Sequence, residues 1–467
     1  MTRLREIITV PRALDEVFRY TSNFANIEQW DPGVSESAKL TGGPVQEGSK
    51  FRVVVKSGPS STPMEYRVTH FEPPHRVVLE GQGGSIHAVD EIRFTEIANG
   101  TRIEYTADIT LSGLGGIFQP FMGGILEKVG KKALAGLKTA LSAEPPVPGE
   151  SIVRNLADRM VLPGALGFTR FGYAHRKKSW PALAVSLQGR TAVVTGATSG
   201  LGRAAAERLA GLEARVILVG RNRGKLEQAR EEIVHSTGNP NVSFEVADLS
   251  LMSEVRSLAA RLLDAELEIH VLVNNAAVLP LKRSLTGEGL ETAFATDLLS
   301  PFLLTRLLLP RLKQSSPSRI INVLSGGMYL SGINLQDLQN AEGDYDGSRA
   351  YASAKRGLMM LTELWAKELQ DSGVVVNAMH PGWADTPGVQ TSLPGFHKLT
   401  RSVLRSPEEG ADTIVWLAAA PEASRVSGKF WLDREPHLAA IIPGTDGTRA
   451  ERSALSEMLH EVADLSR

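Results

Sequence analysis

Tyr351 and Lys355 stand four residues apart in Tyr351-Ala352-Ser353-Ala354-Lys355, so on a helix the phenol and the ammonium share one face. A free tyrosine titrates near about 10, and a neighbouring cation favours its phenolate, each unit of depression corresponding to about 1.4 kcal/mol. Such a pair can give and take a proton near neutrality. Upstream, the apolar run Ala192 to Thr195 leads into Gly196-Ala197-Thr198-Ser199-Gly200-Leu201-Gly202 and then into the Ala-rich Arg203-Ala204-Ala205-Ala206. A strand, a glycine turn and a helix N-terminus form a phosphate cradle: the glycines let backbone amides approach a pyrophosphate, and the helix end supplies unpaired N–H groups with a partial positive charge. About 20 residues downstream, where a carboxylate would bind the ribose hydroxyls of NAD, the chain has Gly220-Arg221-Asn222-Arg223. Arg221, helped by Arg203 or Arg223, is suited to the 2′-phosphate of NADP through a planar, charge-assisted guanidinium contact. NADP(H) is therefore expected as cofactor.

The elements that would position these groups alternate. Apolar strand cores at Ala192 to Thr195, Val216 to Val219, Phe244 to Val246, Val271 to Val273 and Ile320 to Val323 are separated by helical stretches, which argues for a parallel, doubly wound sheet. Ser325 ends the run Arg319 to Ser325, and strand carboxyl ends are where such sheets place ligands. Tyr351 opens an apolar-periodic helix through Leu358, Leu361 and Leu364. Tyr345 and Arg349 repeat its spacing, but Tyr345 sits in the loop-like Gly343-Asp344-Tyr345-Asp346-Gly347.

Composition narrows the remaining chemistry. The 467 residues allow two to four domains at about 150 residues each. Lys plus Arg total 51 against 52 Asp plus Glu, leaving no positive field for nucleic acid. With no cysteine there is neither disulfide nor thiolate, so redox work needs a bound cofactor. The ten histidines show no zincin-like pairing, and no protein-held metal is expected. No signal-like or uncharged membrane-length apolar run is visible, and a soluble, unprocessed, cytoplasmic chain is expected.

Residues 1–143 read differently, with short strands at Phe51 to Lys56, Glu65 to Phe71, Arg76 to Glu80, Glu91 to Thr95 and Arg102 to Asp108. A helix from about Pro120 to Ser142 carries Ile125, Val129, Ala133, Leu137 and Leu141 as one apolar stripe that needs a sheet to cover. The run Ala143 to Gly149, with three prolines, breaks any helix, and the domain boundary is placed there. Residues 144–188 then form a linker and lead segment. Its part from Ser151 to Pro181 mixes Phe168, Phe171, Tyr173 and Trp180 with six Arg and Lys residues, a composition able to lie peripherally on an anionic membrane or to dock on the following domain.

From about Gly189 to Asp433 the chain resembles the short-chain dehydrogenase/reductase family. Thr195-Gly196-x-x-x-Gly200-Leu201-Gly202 resembles its cofactor loop, Asp248-Leu249 its adenine contact, and Asn274-Asn275-Ala276-Ala277 its motif after the fourth strand, with Ala277 in place of the usual glycine. Pro381-Gly382-Trp383-Ala384-Asp385-Thr386 resembles its motif after the sixth strand. The resemblance implies a Rossmann domain over 189–467 that transfers hydride between nicotinamide and a carbonyl or alcohol, with Ser325 holding the substrate oxygen, Tyr351 moving the proton and Lys355 on the nicotinamide ribose. It implies cofactor contacts from Gly196, Thr198, Ser199, Gly200, Leu201, Gly202, Arg203, Asp248, Leu249, Asn275, Ala276, Pro381, Gly382 and Thr386. The lengthened stretch between Ser325 and Tyr351 is similar to the retinol-dehydrogenase-like and member-12-like branch, which implies an apolar substrate. Asp297, in Phe294-Ala295-Thr296-Asp297, departs from the family's asparagine that supports a proton-relay water. An ionised carboxylate only accepts hydrogen bonds, so it can either hold the relay water differently or pair with Lys355 and weaken that lysine's pull on Tyr351.

Residues 1–143 resemble the polyketide-cyclase/START-like superfamily in Ile7-Ile8-Thr9-Val10-Pro11, Val17-Phe18, Trp30-Asp31-Pro32 and the closing helix. That implies an α+β helix-grip domain, a curved antiparallel sheet around a long helix, binding a lipid, isoprenoid or polyketide-like ligand. Asp31, Glu65, His70, His75 and His87 are candidates there by type only, and binding rather than catalysis is expected. Family habit implies a homodimer or tetramer through helices at Leu298 to Leu309 and Gly357 to Leu369. The leading expectation is an NADP(H)-dependent oxidoreductase of apolar carbonyls. Its rivals are a non-catalytic lipid carrier or NADP(H) sensor, and a polyketide cyclase–ketoreductase fusion.

Overall fold

Two kinds of hydrophobic periodicity produce two compact units, Met1–Pro145 with Pro181–Ser186, and Pro146–Trp180 with Leu187–Arg467. The structure is a computed structural model and describes residues 2–42, 44–57, 60–84, 86–111, 130–141, 167–180, 183, 185–265, 268–442 and 444–465.

In the first unit, β1 (Thr2–Val10), β2 (Val34–Lys39), β3 (Lys50–Ser57), β4 (Ser60–Glu72), β5 (Arg76–Gly83), β6 (Ile86–Ile97) and β7 (Gly100–Leu111) pair antiparallel in the order β1-β7-β6-β5-β4-β3-β2. Alternation along each strand sends one set of side chains inward. Val77 and Leu79 of β5, Ala88, Asp90, Ile92 and Phe94 of β6, and Ile103, Tyr105 and Ala107 of β7 are all buried. The apolar members share one core with α1 (Leu14–Ser22) and with Ala133, Leu134, Leu137 and Leu141 of α2 (residues 130–141). The expected stripe therefore meets its sheet. Ile125, Val129 and the Pro-rich run 143–149 lie outside the described residues. All five expected strands are present and longer than expected, because the ladder continues through polar, outward-facing residues. The edge strand β2 was not foreseen, as only Val34 of its six residues is buried.

In the second unit, α3 (Arg170–Lys177) precedes β8 (Thr191–Thr195), α4 (Gly200–Gly211), β9 (Arg215–Gly220), α5 (Arg223–Thr237), β10 (Val242–Val246), α6 (Met252–Asp264) and β11 (Val271–Asn274). Then come α7 (Thr292–Gln314), β12 (Ser318–Val323), α8 (Gly347–Glu368), β13 (Val374–Met379), α9 (Pro387–Ser392), α10 (Pro394–Thr400), α11 (Pro407–Ala419), β14 (Phe430–Leu432), β15 (Glu435–His437) and α12 (Arg449–Val462). The sheet order is β10-β9-β8-β11-β12-β13-β14-β15, parallel except for the last pair. This is the doubly wound Rossmann sheet, with strand order reversing between β8 and β11, where such folds bind ligands. Its strands are buried on both faces and so read as apolar runs. The helix α7 is long and apolar enough to cross a membrane, yet 78% of that stretch is buried, and its leucines and Phe302 belong to the unit's core.

The described part of the lead segment is docked on the second unit. Arg405, 1% exposed, forms a fork-to-fork pair with Asp433 at 2.6 and 2.9 Å and also donates to the carbonyls of Gly167 and Thr169. Phe168 stacks on His380 at 4.7 Å, Tyr173 lies under Arg405, and Trp180 lies under Arg434 at 4.4 Å. Of the four aromatic residues in this segment, Phe171 alone is exposed. Residues 151–166 lie outside the described residues.

Candidate functional site

The glycine loop after β8 is built around close approaches. Gly196 adopts φ +66°, and a Cβ there would lie 2.9 Å from the Ala276 Cα. At Gly202 a Cβ would meet Asn275 Nδ2 and the Gly196 oxygen at 2.4 Å each, so only glycine lets the α4 N-terminus settle against the loop. Thr195, buried at the end of β8, braces this arrangement. Its hydroxyl donates to Val273 O and accepts from the amides of Asn275 and Ala276, while Asn275 Nδ2 donates to Thr195 O at 2.8 Å. Asn275, expected at the cofactor, thus has its amide committed to the loop. At the N-terminus of α4, Ser199 makes no side-chain cap, and the Thr386 methyl lies 3.2 Å from where a Gly200 Cβ would be. Leu201 packs toward Gly410 of α11, and Leu249 and Ala276 line a small hollow beside Thr195. These residues fit a pyrophosphate-bearing cofactor: the chain omits Cβ atoms at two places where the loop must close and leaves a helix N-terminus open.

The arginines separate. Arg221 is exposed beyond the end of β9 and has no ion-pair partner among the described residues. Arg203 pairs with Glu232 at 2.7 Å, and Arg223 leans over Phe244 at 5.6 Å with Glu227 alongside. Asp248 turns one carboxylate oxygen onto Ser250 N and Oγ. Thr198 lies beside Gly220, consistent with a floor shared by the loop and the end of β9. Ala277 has no positive φ, so its departure from glycine is free of backbone strain.

Ser325, Tyr351 and Lys355 meet at the carboxyl end of β12. Ser325 caps the following turn through Gly327 N and lies near enough to the Tyr351 phenol to lower it. Asp346 caps α8, which starts at Gly347, so Tyr351 and Lys355 fall in its second and third turns. The Lys355 ammonium is 5.6 Å from the Tyr351 ring centre and donates to Val323 O at 3.1 Å. Tyr345 is elsewhere, its hydroxyl on Glu291, which caps the start of α7. Tyr329 donates to Leu438 O.

Asp297 sits on a π-helical turn, Ala295–Leu299, a local widening found often at functional sites. It is fully buried, accepts from Val278 N through Oδ1 at 2.8 Å, and its Oδ2 has no hydrogen-bond partner among the described residues. Burial raises its carboxyl to about 7, against the pull of Lys355 and the Val278 amide, with Glu291 adding to the rise. Burial lowers Lys355, and Asp297 opposes that shift. The Tyr351 phenol is raised, first by desolvation and then by the Asp297 charge, while the Ser325 hydrogen bond works the other way. No ion pair joins Asp297 to Lys355 among the described residues, and Asp297 acts on Lys355 and Tyr351 through its charge, raising both. Asp297→Asn is expected to keep or raise turnover. Because the carboxyl ionises only as pH rises through about 7, the ratio of Asn variant to parent should be near one at pH 6 and grow toward pH 8. Steady-state rates across that range check it; a collapse of turnover in a folded Asn variant would show that the acid is required.

After β13, Gly382 N donates to His380 Nδ1 at 2.7 Å, and a Cβ on Gly382 would strike Arg405. Pro381 O accepts from that same guanidinium, so the Pro381-Gly382 turn is held from behind. Thr386 caps α9 through Val389 N at 3.3 Å. Trp383 meets Phe396 edge to face at 5.3 Å, with Phe168 behind it. In the first unit Glu65 pairs with Lys50, His70 with Glu72 and His87 with Glu80, all exposed. Asp90, one residue before the expected start of its strand at Glu91, is the buried acid of that unit among the described residues.

This geometry defines a nucleotide-linked oxidoreductase class, and the chain belongs to the short-chain dehydrogenase/reductase family. A profile described as short chain dehydrogenase matches residues 190–395, and one described as polyketide cyclase/dehydrase and lipid transport matches residues 1–142. The chain is 40% identical over 306 residues to bovine dehydrogenase/reductase SDR family member 12, covering 64% of this chain and 95% of that protein. It is 36% identical to human retinol dehydrogenase 13 over 254 residues, covering 53% and 77% respectively. A solved short chain dehydrogenase/reductase family protein is 28% identical, with a TM-score of 0.42, covering 53% of this chain and 96% of that one.

Proposed function

We propose that the second unit is an NADP(H)-dependent oxidoreductase acting on apolar carbonyls or alcohols, and that the first unit binds a hydrophobic ligand. The observation that carries the first part is the meeting of Ser325, Tyr351 and Lys355 at the strand end on the ligand-binding edge of the sheet. When bound, the nicotinamide cofactor supplies or accepts the hydride. Ser325 orients the substrate oxygen, and the Tyr351 phenol gives that oxygen a proton in reduction or removes one in oxidation. Lys355 offsets the charge left on Tyr351 and reaches the nicotinamide ribose. Pro381, Gly382 and Thr386 form the wall on the nicotinamide side. Trp383 and Phe396 supply an apolar rim, which agrees with the retinol dehydrogenase names of several relatives and with the lipid-transport description of the N-terminal match. Assay of NADPH oxidation with all-trans-retinal and simpler aldehydes tests the reaction directly; cofactor binding without turnover across the panel would favour a carrier or sensor.

Cofactor choice rests on Arg221. Arg221→Ala is expected to raise KM for NADPH about tenfold, the low end of a hydrogen bond to a charged group because the site is exposed. KM for NADH should change little. Equal losses for both cofactors would remove the 2′-phosphate assignment.

A further inference from the structure

We propose that Asp90, Tyr66 and Tyr105 form a polar anchor on the inward face of the N-terminal sheet that binds the hydroxyl group of an otherwise apolar alcohol. The inference rests on reading this unit as a hydrophobic-ligand binder and specifies what end of the ligand it grips. Along β5, β6 and β7 the buried inward positions are Val77, Leu79, Gly81, Ala88, Ile92, Phe94, Ile103 and Ala107, with three polar ones, Asp90, Tyr105 and, at the start of β7, Thr101, whose hydroxyl donates to Arg12 O. A carboxyl in such a lining is strongly unfavourable unless its oxygens find donors. Only half of Asp90 is provided for. Tyr105 donates to Oδ1 at 2.9 Å and the Tyr66 phenol also stabilises the carboxylate, yet Oδ2 has no hydrogen-bond partner among the described residues in a side chain 5% exposed.

The sheet is shaped around this group. A Cβ at Gly81 would lie 2.4 Å from the Tyr66 ring, so β5 omits a side chain where that ring crosses it toward β6. In the same core the Trp30 indole N–H is also buried without a partner among the described residues. The unpaired Asp90 Oδ2 suits an alcohol, whose hydroxyl can donate to it. The charged groups that act on Asp90 are the acids Asp31 and Asp108, so a carboxylate or phosphate end would meet repulsion. Burial raises the Asp90 carboxyl to about 7, the two phenols opposing, so near neutrality an ionised fraction is present to accept.

The test is calorimetric titration of the full chain with 1-decanol, n-decane and decylamine, for the parent, Asp90→Leu and Asp90→Asn. The parent should bind decanol about tenfold or more tightly than decane, the scale of one hydrogen bond to a charged acceptor. Asp90→Leu should lose that preference while keeping decane. If the Leu variant does not fold, the near-isosteric Asp90→Asn decides in the same way, with a reduced preference expected. Equal affinities for decanol and decane in the parent, a preference unchanged by both substitutions, or tighter binding of decylamine would overturn the anchor. Binding of neither decanol nor decane would bring down the hydrophobic-ligand reading itself, and the anchor with it.

Discussion

Tyr351→Phe should lower turnover about 10²- to 10⁴-fold, the range for removing a positioned general acid, while leaving NADPH affinity nearly unchanged. The phenol is the one that Ser325 acts on and its ring lies 5.6 Å from the Lys355 ammonium, whereas the Tyr345 and Tyr329 hydroxyls are engaged by Glu291 and Leu438 O. Tyr345→Phe is therefore the matched control and should cost less than about threefold, since one part-exposed hydrogen bond is worth about 0.5–1.5 kcal/mol at most to folding and none to proton transfer. Rates measured beside fluorescence titration of NADPH separate chemistry from binding. Retained activity in Tyr351→Phe would move the proton transfer to another group or remove it from this protein's role.

The second large effect is on stability. Arg405→Ala should destabilise the second unit by about 3 kcal/mol, the low end for breaking a buried pair, because it leaves Asp433 buried with only Arg176, 3.5 Å away, in place of its bidentate partner. It also removes the donor that holds Gly167 O and Thr169 O, so protease cleavage within residues 167–180 should accelerate. Arg405→Lys should rescue little, as one ammonium cannot reproduce a planar fork that spans Asp433 and the three carbonyls of Gly167, Thr169 and Pro381. Urea unfolding and limited proteolysis measure both consequences; a loss under about 1 kcal/mol would place the Arg405–Asp433 pair among the weak ones.

Much of the Rossmann unit was legible because its chemistry is local in sequence. Gly196 to Gly202 carries strand end, turn and helix start in seven residues, and Tyr351 and Lys355 are separated by one helical turn. What depended on distant strands becoming neighbours was not legible. Thr195 looked like the last residue of an apolar strand, and its role needs β11 beside β8, nearly eighty residues away. Arg405 lies 238 residues from Gly167, and no spacing rule connects them. Arg203, expected to help Arg221 at the 2′-phosphate, pairs with Glu232 on the neighbouring helix α5, a partner 29 residues away that its position beside the glycine loop does not announce. In the first unit a strand taken to begin at Glu91 hid Asp90, although Ala88, Asp90, Ile92 and Phe94 mark the inward register once the strand is extended back to Ile86. The lead segment's mixed aromatic and basic composition allows both environments while favouring docking, and the packing of Phe168, Tyr173 and Trp180 shows that docking for residues 167–180.

The central claim is hydride transfer at the Ser325–Tyr351–Lys355 site. Its most direct test is a single-turnover reaction of the full chain with NADPH carrying deuterium at both nicotinamide C4 positions and a panel of apolar aldehydes, read by product mass. The account predicts an alcohol one mass unit heavier than the unlabelled product, formed by the parent chain and by Tyr345→Phe but not by Tyr351→Phe on the same timescale. Tight NADPH binding with no labelled alcohol from any aldehyde, or equal labelling by Tyr351→Phe, would contradict it.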